Sequence, residues 1–246
     1  ANTTGSNNVA IGKRALDANT TASENTAVGN NCLLENTTGT FNTAMGSGSL
    51  DANTTGSNLT AIGYAALGAN TTASNNVALG YNVLSSNTTG THNIGIGGND
   101  ATNLATLSNN TTGSKNVGIG MAALLNNTAD NNTAVGYQAL RANTTGTNNV
   151  GVGVSAIDAN TTGTSNIGIG VSALGANTTS DYNVAIGDSA LINQTTGTRN
   201  TAIGTFTMAT NVTGNYNVAV GYAALNQSTV SQNTAVGYEV MLDTTT

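Results

Sequence analysis

Asn8-Val9-Ala10-Ile11-Gly12 decides the fold, because variants of it return along the whole 246-residue chain. Its Gly reappears at Gly29, Gly46, Gly63, Gly80, Gly97, Gly120, Gly136, Gly153, Gly170, Gly187, Gly204, Gly221 and Gly237. Most of these steps are 17 residues; Gly97 to Gly120 is 23, and the steps to Gly136 and Gly237 are 16. A fixed period of this kind marks stacked repeats, each touching only its neighbours. The expectation is an all-β chain, a parallel β-solenoid of about fourteen coils forming a single array over residues 1–246.

Within one repeat, Asn-Val-Ala-Ile-Gly alternates branched and small residues, the period of a strand. Val9 and Ile11 then point one way, and Ala10 and Gly12 the other. The Ile/Val slot (Ile11, Val28, Met45, Ile62, Leu79, Ile96) never turns polar, which predicts that it faces the interior. The small slot (Ala10, Ala27, Ala44, Ala61, Gly95, Gly118) never exceeds Ala, so something must approach it closely. A second apolar point follows at Leu16, Leu33, Leu50, Leu67, Leu84, Leu124, Leu140 and onward. Helix nucleation is costly and the space is short, so a second strand covering the first is expected there.

Asn-Thr-Thr-Gly between the strands is turn chemistry: Asn bonds its own backbone, and Gly accepts positive φ. In-register coils would stack Asn2, Asn19, Asn36, Asn53, Asn70 and Asn87 into one ladder. Asn8, Asn25, Asn42, Asn76 and Asn93 would form another, interrupted by Leu59. Stacked amides bond along the stack, which accounts for the repetition without a ligand. At about 4.8 Å per coil the array would be a rod on the order of 65 Å long. Its core is thin, and the small-residue face predicts packing against other chains in a homo-oligomer, with a trimer favoured.

Composition removes several classes of function. Charged residues are 7% and the net charge is −6, so no basic stripe exists to neutralise phosphates and no nucleic acid is expected. No apolar run has membrane-spanning length, so no membrane insertion is expected. Pro is absent, and the single Cys32 stands where most repeats carry Ala, as a small buried thiol. His92 is the only His, and Glu24, Glu35 and Glu239 are scattered. Paired carboxylates could come only from residues such as Asp17 and Asp51, two coils apart, and no Cys/His cluster suits zinc. No enzyme and no cofactor are expected.

The irregular places are the candidates for contact. After six copies in frame, six residues at about 98–103 are inserted before Leu107 restores the pattern. An insertion in a solenoid emerges as a loop, and its Asn99 and Asp100 carry oxygens suited to a cation or to surface contact. Single-residue deletions fall near Asn127-Thr-Ala-Asp130 and near Ser228-Gln232. The slot before the second Asn varies freely: Asn7, Glu24, Phe41, Asn58, His92, Lys115, Ser165, Tyr182, Arg199, Tyr216. Free variation of charge and size implies exposure, so Phe41, His92, Tyr182, Arg199 and Tyr216 are candidate contacts for a receptor or glycan. Tyr64, Tyr81, Tyr137, Tyr222 and Tyr238 follow the Gly, where packing on the neighbouring coil is favoured over sugar stacking. Asn-Thr-Thr also satisfies the glycosylation acceptor pattern at Asn2, Asn19, Asn36, Asn53, Asn70, Asn87, Asn110, Asn143, Asn160 and Asn177. Turn chemistry accounts for the same residues.

Val9-Ala10-Ile11-Gly12 and its copies, Val184-Ala185-Ile186-Gly187 among them, resemble the head repeats of YadA-like trimeric autotransporter adhesins and related phage tail-fibre rolls. The resemblance implies a left-handed parallel β-roll, three chains side by side, at a cell surface, outside the cell or on a virion. The repeat here is longer, and the added piece is the Asn-Thr-Thr-Gly turn. The expected function is a structural, surface-exposed fibre or adhesin segment acting as a rigid display rod. A head-to-tail filament is the first alternative, since both ends of the chain fall at nearly the same phase. An ice-binding solenoid is the second, in which Thr3-Thr4 and its copies would supply one outward row.

Overall fold

Every copy of the opening motif becomes a strand of three residues, and like strands pair with like. The computed structural model describes residues 2–98 and 104–242, and among these no residue is helical. Asn99 and Asp100 lie outside the described residues. The protein is a parallel β-solenoid of about 17 residues per coil, in two compact units, 1–128 and 129–246. The division falls inside the turn shortened by one residue at Asn127-Thr-Ala-Asp130.

In the first unit, β1 (Val9–Ile11), β2 (Thr26–Val28), β3 (Thr43–Met45), β4 (Thr60–Ile62), β5 (Val77–Leu79), β6 (Ile94–Ile96) and β7 (Val117–Ile119) pair in chain order. All are parallel, with Ala10 opposite Ala27 and Ala27 opposite Ala44. Gly95 sits opposite Gly118, so the register survives the 23-residue coil. In the second unit, β8 (Thr133–Val135), β9 (Val150–Val152), β10 (Ile167–Ile169), β11 (Val184–Ile186), β12 (Thr201–Ile203), β13 (Val218–Val220) and β14 (Thr234–Val236) repeat the arrangement.

The direction of the strand side chains reverses the sequence expectation. Ala27, Ala44, Ala61 and Ala78 are buried, whereas Ile11 is 60% exposed and Met45 and Ile62 also face outward. The reason is the buried Leu of the preceding coil, which packs across the small slot. A methyl on Gly95 would lie 2.6 Å from Val83 Cγ1 and 3.3 Å from Leu84 Cδ1. On Gly118 it would meet Thr106 Cγ2 at 2.8 Å and Leu107 Cδ1 at 3.1 Å. The predicted close approach to the small slot is therefore real, but it comes from within. An interior this narrow admits one Leu per coil and leaves the Ile/Val pair outside.

The Leu segment is also not a second strand. Arg14 and Leu16 take φ of 57° and 52°, and Asn31 and Leu33 repeat this at 54° and 50°. Left-handed backbone at alternate residues cannot be a β-ladder, so the segment is a turn. Its backbone still pairs between coils: Leu16 N–H donates to Cys32 O at 3.1 Å, and Asn31 N–H to Lys13 O at 2.9 Å. The turn swings Leu33, Leu50, Leu67 and Leu84 inward, where each is fully enclosed. Non-Gly residues in this region cost on the order of 1–3 kcal/mol each, a cost offset by burying the Leu and closing the coil.

The motif Gly is required by conformation and by space. Gly63 has φ of 138°, and a Cβ there would stand 2.3 Å from the Gly80 carbonyl oxygen. Cys32 is buried as expected; its Sγ lies 3.1 Å from both Ala44 O and Ser49 Oγ, and burial pushes the thiol pKa up.

Both Asn columns point inward. Asn53 Nδ2 donates to Asn36 Oδ1 at 2.8 Å and to Gly56 O at 3.0 Å, and Asn70 Nδ2 donates to Asn53 Oδ1 at 2.9 Å. That is an amide ladder running along the coils. The second column works differently, with each side chain bonding the backbone of the next coil. Asn42 Oδ1 accepts from Leu59 N–H at 3.0 Å, and Asn42 Nδ2 donates to Gly56 O at 2.9 Å. These bonds let a narrow core hold polar groups, because buried amides are tolerated when fully paired.

Candidate binding surface

The freely varying column is built by backbone, which is why its side chains can vary. Glu24 N–H donates to Ser6 O at 3.0 Å, Lys115 N–H to Thr91 O at 2.9 Å, and Tyr182 N–H to Thr164 O at 3.1 Å. Each residue in the column holds positive φ, from Asn7 at 57° and Phe41 at 59° to His92 at 59° and Tyr216 at 58°. The following Asn points inward, so the column side chain is turned out. Phe41, His92, Lys115, Tyr182, Arg199 and Tyr216 are all exposed there.

Within the second unit, three of the predicted residues come together. Arg199 lies between two rings, its Cζ 5.1 Å from the Tyr182 centroid and 5.6 Å from that of Tyr216. Arg199 Nη1 also donates to Tyr216 Oη at 3.3 Å. Coil stacking brings positions 182, 199 and 216 side by side, each 17 residues from the next. Phe41 and His92 belong to the first unit and stand in the same column three coils apart. Asn7 Nδ2 donates to Glu24 Oε1 at 2.7 Å near its start.

Four of the five tyrosines after the motif Gly pack ring on ring between neighbouring coils, while Tyr137 Oη accepts from Gln138 Nε2 at 3.1 Å. Tyr64 and Tyr81 stack with centroids 5.0 Å apart, and Tyr222 and Tyr238 at 5.3 Å, with Phe206 edge-on to Tyr222 at 6.3 Å. Tyr64, Tyr81, Tyr222 and Phe206 remain about half exposed, and Tyr238 is more so.

The Asn-Thr-Thr acceptor pattern is mostly enclosed. Asn19, Asn36, Asn53, Asn70, Asn87, Asn110, Asn143, Asn160 and Asn177 have no exposed surface, while Asn2 is exposed. The nitrogen that would carry a glycan is already a donor in each of these, as at Asn53, to Gly56 O at 3.0 Å, and at Asn143, to Gly146 O at 2.9 Å. A glycan at any of these nine is incompatible with the folded coil. In many of the Thr pairs the first is tied down: Thr37 Oγ1 donates to Thr54 O and Thr54 Oγ1 to Thr71 O, both at 3.0 Å. The second, as at Thr38, Thr55 and Thr72, is exposed and forms the single outward row.

Sequence reasoning missed an open recess of about 360 Å³ in the second unit, lined by Ser155, Asp158, Ser172, Gly175, Ala176, Ile192 and Asn193. It exists because Gly175 stands one coil beyond Asp158 and brings no side chain. Burial pushes the Asp158 carboxyl pKa up, and the Arg141 charge opposes that. Gly68 stands one coil beyond Asp51 in the same way, and burial raises the Asp51 carboxyl as well. The signal was a Gly in a slot otherwise occupied by side chains. Asp17, by contrast, is paired with Arg14 at 3.2 Å.

The class these features define is the parallel β-solenoid. No family model matches the chain, and neither the curated proteins nor the solved structures give a match.

Proposed function

We propose that this chain is a structural segment of a surface-exposed fibre or adhesin, extracellular or on a virion, that works as an oligomer displaying its variable column. The observation that carries this reading is the outer face of the strands. The row Ile11, Val28, Met45, Ile62, Leu79, Ile96, Ile119 in the first unit contains no polar residue. The row Val135, Val152, Ile169, Ile186, Ile203, Val220, Val236 in the second contains none either. Beside them run Val9, Thr26, Thr43, Thr60, Val77, Ile94 and Val117, equally without charge. A solvated sheet face alternates toward polar and charged residues, whereas an uninterrupted aliphatic row is what a protein interface keeps. The small slot, expected to contact other chains, is enclosed, so this face takes its place as the oligomer contact. Three-fold assembly and a left-handed roll follow from the resemblance of Val9-Ala10-Ile11-Gly12 to trimeric adhesin heads.

The test is mass in solution. Light scattering on the purified chain is expected to give a trimer at micromolar concentration. Ile62→Lys with Ile96→Lys, on outward side chains, is expected to give monomers with unchanged circular dichroism. A wild-type monomer would refute the reading.

A second reading, ice binding, has its own observation. The hydroxyls of Thr37, Thr54 and Thr88 are locked into the next coil, so Thr38, Thr55 and Thr89 extend from a backbone held at fixed spacing. Regular hydroxyl and methyl groups on such a frame could order water. Thermal hysteresis decides it: none at millimolar protein removes this reading.

A further inference from the structure

We propose that Tyr182, Arg199 and Tyr216 form a recognition site for an acidic saccharide. The guanidinium edge takes a sugar carboxylate, and the tyrosine rings take the apolar face of a sugar. Three observations carry it. First, the guanidinium is flanked by two rings, one from each adjacent coil, its Cζ 5.1 and 5.6 Å from their centroids. Flanking rings restrict the planar group, and because Arg199 is exposed, the donors it does not spend on Tyr216 Oη can match a carboxylate in two parallel bonds.

Second, among the described residues no carboxylate pairs with Arg199, although its unit is acidic. Arg14 is neutralised by Asp17, and the Arg141 charge acts on Asp158. Asp181, the acid next to Tyr182, is already engaged, accepting from Thr164 N–H at 2.6 Å and Thr164 Oγ1 at 3.1 Å. The Arg199 guanidinium keeps one bond, to Tyr216 Oη.

Third, the flanking rings remain free for a ligand. Tyr182 and Tyr216 are 53% and 54% exposed. The coil before Tyr182 presents the small Ser165 in the same column, so the column itself sets no large side chain against the ring face turned away from Arg199. A sugar stacked there would sit one coil from the guanidinium, within reach of a carboxylate on the adjoining sugar of a short chain. A simple anion would need only the arginine; the paired rings select a ligand with apolar faces beside its charge.

This site deepens the display reading and rests on it for its purpose, but its test reads different residues from the sheet face. In NMR titration of the full chain, tetragalacturonate is expected to shift the Tyr182, Arg199 and Tyr216 signals. Maltotetraose, which has no carboxylate, is expected to bind at least about tenfold more weakly, and inorganic phosphate to leave the tyrosine rings unmoved. Arg199→Gln should weaken tetragalacturonate binding at least about tenfold with no change in oligomer mass, while Arg14→Gln leaves binding intact. Tyr182→Ala should weaken it while leaving Arg199 in place. No shift at millimolar tetragalacturonate, equal binding of maltotetraose, or unaltered affinity in Arg199→Gln would overturn the proposal. Loss of trimer mass with binding retained would instead strike the display reading alone.

Discussion

At the scale of single residues, the small slot and the pair packed on it from the preceding coil, the Leu and the residue before it, set each other's size. Gly95 faces Val83, Gly118 faces Thr106, and Gly168 faces Ile157, whose Cγ1 would lie 2.6 Å from an added methyl. Most coils carry Ala in the position of Val83 and tolerate Ala opposite. Gly95→Ala is therefore expected to destabilise by about 1–3 kcal/mol through overpacking. The same change in a Val83→Ala background should cost clearly less, a coupling that a double-mutant cycle in urea measures. The Asn ladder gives a second case. Asn53→Ala removes two donors and an acceptor from a closed stack, leaving Asn36 Oδ1, Gly56 O and Asn70 Nδ2 each short of a bond. At roughly 1–3 kcal/mol per stranded group, a loss of about 3 kcal/mol or more is expected. Asn53→Asp should be worse, because a carboxylate oxygen would face Asn36 Oδ1. Calorimetry checks the order of the two.

At the scale of the element, the period and the strand were legible, because Gly spacing fixes coil length and the alternation of Val, Ala and Ile fixes an extended backbone. Which face points in was not. A never-polar Ile/Val row reads the same whether it meets a core or another chain, and only the space left by the buried Leu decides. The Leu segment was misread for a related reason: left-handed Leu16 and Leu33 carry no composition signal of the kind Gly or Asn gives. Of the binding column, exposure was readable from its free variation, and the meeting of 182, 199 and 216 from their 17-residue spacing. The flanking of Arg199 by both rings, like the recess at Gly175, needed coordinates. Coil independence makes a test. Excising 53–69 joins Ala52 to Asn70 in phase and removes Leu59, which offers no side-chain oxygen to the Asn76 N–H. Excising 36–52 instead sets Leu59 directly after Asn25. Both variants are expected to keep the β-signal, with the first the more stable. Equal melting temperatures would argue against the role given to the second Asn column.

At the scale of the whole molecule, scarcity of charge makes the few half-buried carboxylates count. With 7% charged residues there is little surface electrostatics to mask them. Burial holds the Asp51 and Asp158 carboxyls above the ordinary carboxylate range; Glu35 adds to this at Asp51, and Arg141 opposes it at Asp158. A carboxyl with a raised folded-state pKa keeps its proton when the unfolded chain has already released it. Over that interval the folded state binds more protons, so stability falls as pH rises from the ordinary carboxylate range through the raised values, then levels off. These two groups thus favour mild acid over neutrality, opposite to the usual effect of paired carboxylates. Urea unfolding at steps from pH 4 to pH 7 is expected to show stability declining across the interval. Asp51→Asn with Asp158→Asn is expected to flatten the decline and to raise stability at pH 7, since a neutral amide costs less to desolvate than a carboxylate. A wild-type profile that climbs through the interval, or a double variant whose profile is unchanged, would place the cause of any pH dependence elsewhere than in these two carboxyls.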